Sequence, residues 1–249
     1  WAAGALRRDD ARFARDAAAA LERLGPTFIK IGQLLSVRED VVGPVWAAEL
    51  ARLQATVSGG SPDAVDAIWA ADFVHLKRVN ATAAACASVA QVHRGTWQGR
   101  DGEVTEVACK VLRPGVRDAV AVDLCVLLRA GEALETWAPR VLGQSNVDWR
   151  LLLGGLASAL WSELDFEGEG ERQEKFRRNM HEVEHVTVPR VLGATRDVLV
   201  SEWVDGRALN ELSDRSWQLK KSVDCIRNAY CQALYVDGYF HADCHGGNL

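Results

Sequence analysis

A chain of 249 residues is long enough for one large domain or two small ones, and a hydrophobic share of 48% provides ample material for a core. The formal net charge is −5 at pH 7, and acidic and basic residues are intermingled without the basic stripe that nucleic-acid binding needs. We therefore expect a folded globular protein and no nucleic-acid partner.

The six cysteines are scattered along the sequence without a C-x-x-C pair. Several lie in apolar or helical contexts, which favours reduced core thiols over a disulfide framework. Reduced thiols in turn favour a reducing compartment.

The longest apolar stretch, Leu151 to Trp161, contains two glycines and falls well short of the about 20 residues that cross a bilayer. No transmembrane segment is therefore expected. The sequence begins at Trp1 rather than at Met and shows no signal-peptide pattern, so we expect an N-terminus from which any targeting peptide has been cut.

Residues 1 to about 71 are predicted to be all-helical. The segment DARFARDAAAALERL is amphipathic, and Gly25-Pro26 ends it. Its apolar stripe consists of Phe13, Ala17, Leu21 and Leu24. Two further helices are predicted over TFIKIGQLLSVRE and PVWAAELARLQA, and Ser61-Pro62-Asp63 supplies a cap and an N1 proline for a fourth.

The residues that follow change to a strand pattern. VAQVHRGTW (Val89 to Trp97) and VTEVACKVL (Val104 to Leu112) are rich in β-branched residues, and QGRDGE between them has hairpin chemistry. This predicts an antiparallel hairpin. Helices are predicted from Val116 to about Trp137 and from Asn146 to about Met180, the second loosened by four glycines, followed by a strand in DVLVSEWV and a helix over about 215–237.

The order of these parts is that of a protein-kinase-like nucleotide site. AAACAS (Ala83 to Ser88) is a loop of small residues that would let backbone N–H groups approach phosphates, and Lys110 lies on the second hairpin strand, where a lysine would neutralise them. In FHADCHGGNL, Asp243 would orient the nucleophile, and Asn248, at the spacing of H-R-D-x-x-x-x-N, would bind Mg²⁺.

Each of these signals has a plainer interpretation. Lys110 alone could be a solvated lysine, Glu163 to Glu171 a charged helix face, and Lys30 with Gln33 an exposed helix surface. His93 is predicted to be a packed strand histidine. A zinc site is the alternative for the last segment, although donors so close in sequence seldom all reach one ion. Its candidate ligands are His241, Asp243, Cys244 and His245.

Several segments together resemble the motifs of the UbiB/ADCK family of atypical, protein-kinase-like proteins, and the resemblance extends from about Gly25 to Leu249. FIKIGQLLSVRED carries K-x-G-Q, and ACASVAQVH is similar to A-A-A-S-I-A-Q-V-H. VACKVLRPGV is similar to V-A-V-K-V-Q-R-P-G-V. SELDFEGEGER is similar to E-L-D-F-x-x-E-A-x-N, and GYFHADCHGGN to G-F-F-H-A-D-P-H-P-G-N.

The resemblance implies an α+β, protein-kinase-like fold with an antiparallel N-lobe sheet and the start of a helical C-lobe. It divides the chain into a helical extension carrying K-x-G-Q (residues 1–71), the N-lobe (72–204) and the beginning of the C-lobe (205–249). Lys30 and Gln33 would guard the site, with Lys30 paired to Glu163 or Asp165. Asp243 and Lys110 would be catalytic, and Asn248 would bind Mg²⁺. ATP would contact Ala84, Ala85, Cys86, Ala87, Ser88, Lys110, Glu169, Glu202 and Val204.

The resemblance also implies an ATPase or a small-molecule or lipid kinase in quinone or isoprenoid-lipid metabolism, associated with membranes of bacteria, mitochondria or plastids. A prenyl-lipid or quinone precursor would be its partner besides ATP. A non-catalytic scaffold of a biosynthetic complex is the alternative.

Some positions depart from the family pattern. Cys86 and Gly170 each replace an alanine, Arg172 replaces an asparagine, and Cys244 and Gly246 replace both prolines of the last motif, which loosens that loop. The sequence also ends before any D-F-G-like segment. We therefore expect a fragment that lacks the second metal-binding aspartate and does not catalyse a reaction by itself.

Overall fold

The computed structural model describes residues 11–54, 63–141, 149–207, 209, 212 and 217–240. Its helices are α1 (Ala11–Leu24), α2 (Pro26–Ser36), α3 (Glu39–Val42), α4 (Pro44–Leu50), α5 (Asp63–Ala70), α6 (Val116–Val141), α7 (Trp149–Glu163), α8 (Phe166–Asn179) and α9 (Trp217–Cys231). Its strands are β1 (Leu76–Val79), β2 (Ala85–Cys86), β3 (Ala90–Gln98), β4 (Val104–Leu112), β5 (Val191–Ala194) and β6 (Val198–Glu202). A 3₁₀ turn (Ala51–Gln54) follows α4, and a π-helical turn (Gln232–Val236) follows α9.

The strands form one sheet in the order β1-β3-β4-β6-β5, with β2 paired to β3 off this path. Strands β1 and β3, β2 and β3, and β5 and β6 pair in antiparallel orientation. The Gly99 N–H donates to the Glu103 carbonyl at 2.8 Å and closes the β3–β4 turn, and Gly102 supplies a φ of +85° there. The predicted hairpin is confirmed.

The described chain divides into two compact units. Within the described residues, the first comprises the segments up to Ala70, Asn80–His93 and Lys110–Asp165, and the second comprises Ala71–Val79, Arg94–Cys109 and the residues from Phe166 onward. Each unit combines distant segments, so the sequence boundaries at 71 and 204 stay predictions.

In the first unit, α1, α2, α4 and the 3₁₀ turn enclose a small apolar core. Ala18, Ile29, Leu50 and Leu53 are its buried members. The predicted stripe of α1 is wrong at its ends, since Phe13 and Leu24 are largely exposed. The helix instead buries alanines (Ala14, Ala18), whose small side chains allow a close approach of the neighbouring helix.

In the second unit, α8 packs on β5 and β6 through a glycine. A Cβ at Gly170 would lie 3.2 Å from Leu199 Cδ1 and 3.3 Å from Ala194 Cβ. The glycine therefore sets a close approach of helix and sheet rather than loosening the helix. In the same unit, Met180, Ala229 and Ala233 form a second buried cluster, and Phe176 and three valines pack against it.

The prediction of one helix from Asn146 to about Met180 is wrong. A break at Leu164 and Asp165 separates α7 from α8. The Leu164 carbonyl accepts a hydrogen bond of 2.6 Å from Arg117 Nη2 on α6, and the Leu164 and Phe166 side chains are fully buried. The tertiary contacts of these residues thus compete with helix continuation. Similarly, α2 ends at Ser36 rather than continuing to Glu39.

The cysteine prediction is correct in one respect and wrong in another. The described cysteines are free thiols, and Cys109 is buried. Cys125 and Cys231, however, are exposed, because helical context alone does not decide which face of a helix a residue occupies. Cys244 lies outside the described residues. No helix within the described residues is long and apolar enough to cross a membrane.

Candidate nucleotide site

The K-x-G-Q motif lies on α2, in the first unit. A Cβ at Gly32 would stand 2.3 Å from Leu53 Cδ1, so the glycine allows α2 to pack closely on the 3₁₀ turn. Lys30 forms an ion pair with Glu163, the last residue of α7, and the Lys30 side chain is only 12% exposed. Gln33 donates a 2.8 Å hydrogen bond to the Leu53 carbonyl. The motif therefore makes specific contacts in this unit rather than forming an exposed helix surface.

Helix α7 ends at Glu163, directly before the break at Leu164 and Asp165. Because Arg117 on α6 binds the Leu164 carbonyl, the helix stops directly after Glu163 and presents that carboxylate to Lys30. Glu163 is one third exposed, and Asp165, beyond the break, is exposed. Glu163, one of the two partners named for Lys30, forms an ion pair with it.

The alanine-rich segment is a tight turn that contains β2, where the sequence predicted a loop. The Ala84 N–H donates to the Val92 carbonyl and the Ala87 N–H to the Ala90 carbonyl, both at 2.8 Å, and Ala85 pairs with Val92. Two of the backbone donors expected to face phosphates are thus engaged within the turn. Cys86 and Ser88 are half-buried, and the alanines between and beside them are exposed.

Lys110 lies on β4, near the end of the strand. Val107, Cys109 and Val111 are fully buried, and alternation along the strand directs the half-buried Lys110 to the opposite face. Burial raises the pKa of the Cys109 thiol to about 12, so this neighbour of Lys110 stays neutral at physiological pH.

His93 is 1% exposed on β3, which confirms it as a packed strand histidine. Its Nδ1 lies 2.8 Å from the Asn80 carbonyl oxygen; because that oxygen can only accept, Nδ1 carries the proton. Its buried Nε2 finds no hydrogen-bond partner within the described part of the chain.

The remaining described candidates lie in the second unit. Glu169 is half-buried on α8, directly before the tightly packed Gly170. Glu202, at the end of β6, accepts hydrogen bonds from the Nε (3.0 Å) and the backbone N–H (3.1 Å) of Arg190. Val204, two residues later, is exposed.

Sequence reasoning missed one residue beside these candidates, Arg94 on β3. Its guanidinium contacts Glu106, Trp203 and Asp205 and so reaches the linker that follows β6. No local pattern signals the contacts to the linker, because Trp203 and Asp205 lie more than 100 positions from Arg94 in the chain.

Asp243 and Asn248 lie outside the described residues, as do His241, Cys244 and His245 of the zinc alternative. In the part of the chain that is described, no group of three or more His, Cys, Asp or Glu side chains is arranged to hold a metal ion. The catalytic and metal-binding roles of the last motif therefore stay predictions.

Comparison with known proteins identifies the class. The model of the ABC1 atypical kinase-like domain matches residues 69–249. The chain belongs to the ABC1 family, which is the UbiB/ADCK family that its motifs resemble. The predicted α+β, kinase-like fold is confirmed.

Individual relatives come from plants and cyanobacteria. Protein ACTIVITY OF BC1 COMPLEX KINASE 8, chloroplastic, of Arabidopsis thaliana is 32% identical over 91% of this chain and 30% of its own length. The corresponding kinase 7 is 32% identical over 98% of this chain and 35% of its own length. An uncharacterized Synechocystis protein is 33% identical over 95% of this chain and 42% of its own length. The chain thus spans between about a third and two fifths of these relatives.

A solved structure supports the same fold. The Rv3197–erythromycin complex from Mycobacterium tuberculosis superposes with a TM-score of 0.63 at 25% sequence identity. The match covers 88% of this chain and 55% of that chain.

Proposed function

We propose that this chain is the nucleotide-binding part of an ABC1-type ATPase or small-molecule or lipid kinase. One observation carries the proposal. The sheet order places β4, with Lys110, between the hairpin strand β3 and β6, whose last residue, Glu202, leads into the linker Trp203–Asp205. In protein kinases a lysine on a strand of this sheet serves nucleotide phosphates.

The residues present suit ATP. The exposed alanines of the turn (Ala84, Ala85, Ala87) leave space for phosphates beside the backbone, and Cys86 and Ser88 add no bulky group, while the N–H groups of Ala84 and Ala87 hold the turn together. Lys110 would neutralise phosphate charge, with Glu169 as its partner. The backbone of Glu202 and Val204 would meet the base.

The donor set also suits Mg²⁺. A carboxylate and an amide oxygen are hard ligands of the kind this ion prefers, and Asn248 would bind it while Asp243 accepts the proton of the attacking group. When bound, the ion would supply charge neutralisation at the phosphates. Lys30 and Glu163 would hold the K-x-G-Q helix in place, and Gln33 would fix its distance from the 3₁₀ turn.

The nucleotide assignment is tested on the full-length protein by thermal unfolding with and without Mg²⁺-ATP. A ligand at 100 times its Kd stabilises by about 2.7 kcal/mol, so we expect the Tm to rise by several degrees. Lys110→Ala should weaken this shift. Absence of any nucleotide-dependent shift in the intact protein would rule out the ATP site.

Catalysis is tested separately with Asp243→Asn. We expect this substitution to abolish ATP turnover while nucleotide binding is largely retained, because the amide cannot accept the proton but keeps the shape of the side chain. Unchanged turnover would show that Asp243 is not the base.

The alternative is a non-catalytic, nucleotide-sensing scaffold. The replacement of both prolines in the last motif by Cys244 and Gly246 favours it, because the loop loses conformational restriction. The two hypotheses differ in one measurement: a scaffold binds ATP without turnover in the wild-type full-length protein.

The family resemblance supports a role in quinone or isoprenoid-lipid metabolism, with peripheral membrane association. Relatives named as chloroplastic, together with cyanobacterial ones, favour a plastid or cyanobacterial setting over a mitochondrial one. Imaging the full-length protein fused to a fluorescent tag tests the compartment, and prenyl-lipid profiles of a deletion strain test the pathway.

A further inference from the structure

Arg94 joins two strands and the linker of the second unit. The Arg94 guanidinium donates two hydrogen bonds to the carboxylate of Glu106 on β4. Nε lies 3.1 Å from Oε1, and Nη2 contacts Oε2. Such a bidentate pair fixes the plane of the guanidinium as well as its position. Arg94 is therefore a rigid platform in spite of being 35% exposed.

The linker after β6, Trp203–Asp205, contacts the Arg94 guanidinium. The Arg94 Cζ lies 4.7 Å from the centroid of the Trp203 ring, which is cation–π geometry. Trp203 Nε1 donates a 2.8 Å hydrogen bond to Asp205 Oδ1, and the same oxygen lies 3.7 Å from Arg94 Nη2. The Trp203 backbone N–H donates to the Glu106 carbonyl at 3.0 Å. Trp203 is thus held by its main chain and its side chain, and Asp205 by its carboxylate.

Val204 lies between these two tethered residues and keeps an exposed side chain. Its neighbours on both sides are fixed while it remains accessible. A segment ordered before its ligand arrives loses less conformational entropy on binding, so it binds more tightly.

We propose that Arg94 is a positioning residue that pre-orders the Trp203–Asp205 linker for the base of the nucleotide. This deepens the proposed function and rests on it. Arg94 acts through Trp203 and Asp205, and its effect is confined to the part of the ligand that the linker meets. Arg94 should therefore govern affinity for ATP but not for a phosphate chain that lacks the base.

The test measures binding of ATP and of inorganic tripolyphosphate, each with Mg²⁺, to the full-length protein by calorimetry. We expect Arg94→Ala to raise the Kd for ATP about tenfold and to change the Kd for tripolyphosphate less than twofold. Arg94→Lys keeps the charge but loses the bidentate and stacking geometry. Its Kd for ATP should therefore lie between those of the wild-type protein and Arg94→Ala. Lys110→Ala should weaken both ligands.

A matched control is Arg15→Ala on α1. Arg15 also makes two contacts to one carboxylate, that of Glu49, and it is more exposed than Arg94. We expect it to change neither Kd. Amide hydrogen exchange should accelerate across residues 203–207 in Arg94→Ala and not in Arg15→Ala.

The outcomes separate the two claims. Wild-type protein that binds neither ligand overturns the proposed function, and the inference falls with it. If wild-type protein binds ATP and both Arg94 variants bind ATP as tightly as wild type does, only the inference is overturned. Equal weakening of ATP and tripolyphosphate also overturns it, because that is the signature of a general loss of structure. If Arg94→Ala does not fold, the Arg94→Lys comparison decides by the same criteria.

Discussion

Replacing Gly95 by alanine is a direct test of how closely β1 and β3 pack. Gly95 pairs with Val79, and an added Cβ would lie 2.5 Å from the Arg78 carbonyl oxygen. It would also lie 3.3 Å from Cys109 Sγ and Val107 Cγ2. The carbonyl is part of the backbone, so no side-chain rotation relieves the contact. Strand β1 must move by about 0.9 Å before ordinary contact at 3.4 Å is reached.

The net cost combines two destabilising contributions and one stabilising contribution. Forcing an extra carbon into a packed position costs about 1–3 kcal/mol, and a displaced ladder hydrogen bond adds about 1 kcal/mol. Alanine regains roughly 0.5–1 kcal/mol because glycine loses more chain entropy in a strand. We expect a net destabilisation of about 2 kcal/mol.

The assay is urea unfolding of the full-length protein combined with amide hydrogen exchange at Leu76–Val79. The matched control is Gly154→Ala, the same substitution on α7, where an added Cβ meets nothing within 4 Å among the described residues. We expect that control to stabilise by up to about 1 kcal/mol. If Gly95→Ala were as stable as Gly154→Ala, with unchanged exchange in β1, the close approach of the two strands would be refuted.

Three further predictions concern the first unit and the neighbour of Lys110. Burial raises the pKa of Cys109 to about 12, so the native protein keeps a proton that the unfolded thiol loses near pH 9. The contribution of this thiol to the free energy of unfolding is therefore complete below pH 9 and falls as the pH rises toward 12. In that window the free energy of unfolding of the wild-type protein should fall by about 1.4 kcal/mol more per pH unit than that of Cys109→Ala. Parallel pH profiles of the two proteins would contradict this. Lys30→Ala and Glu163→Ala should each cost about 1–3 kcal/mol with a coupling of about 1–2 kcal/mol in a double-mutant cycle, and additive costs would show that the ion pair contributes nothing. Gln33→Ala should cost about 1 kcal/mol by loss of the hydrogen bond to the Leu53 carbonyl, measured as a lower urea midpoint, with the half-buried Gln98→Thr on β3 as a comparison.

Local chemistry was sufficient for much of the fold. The helix α1, the β3–β4 hairpin and the strand β6 are specified by periodicity and by turn residues close together in the chain, and the structure has them within one or two residues of the predicted bounds. The position of Lys110 on β4 follows from the same pattern. The motif order was enough to indicate the family.

Local chemistry failed where distant contacts outweighed it. The face of α1 is decided by which residues its neighbours accommodate, so Ala14 and Ala18 are buried while Phe13 is largely exposed. Helix continuation through Leu164 was locally reasonable, but the hydrogen bond from Arg117 and the burial of Phe166 end α7 there.

The sequence by itself therefore determined most of the elements and the family, because hydrophobic period, turn chemistry and motif spacing act over a few residues. Only the tertiary structure decided that Lys30 meets Glu163, that the alanine-rich segment closes into a turn, and that Arg94 holds the linker at Trp203. Those contacts join residues from about 7 to more than 100 positions apart, and which of many compatible partners meet depends on how whole helices and strands pack.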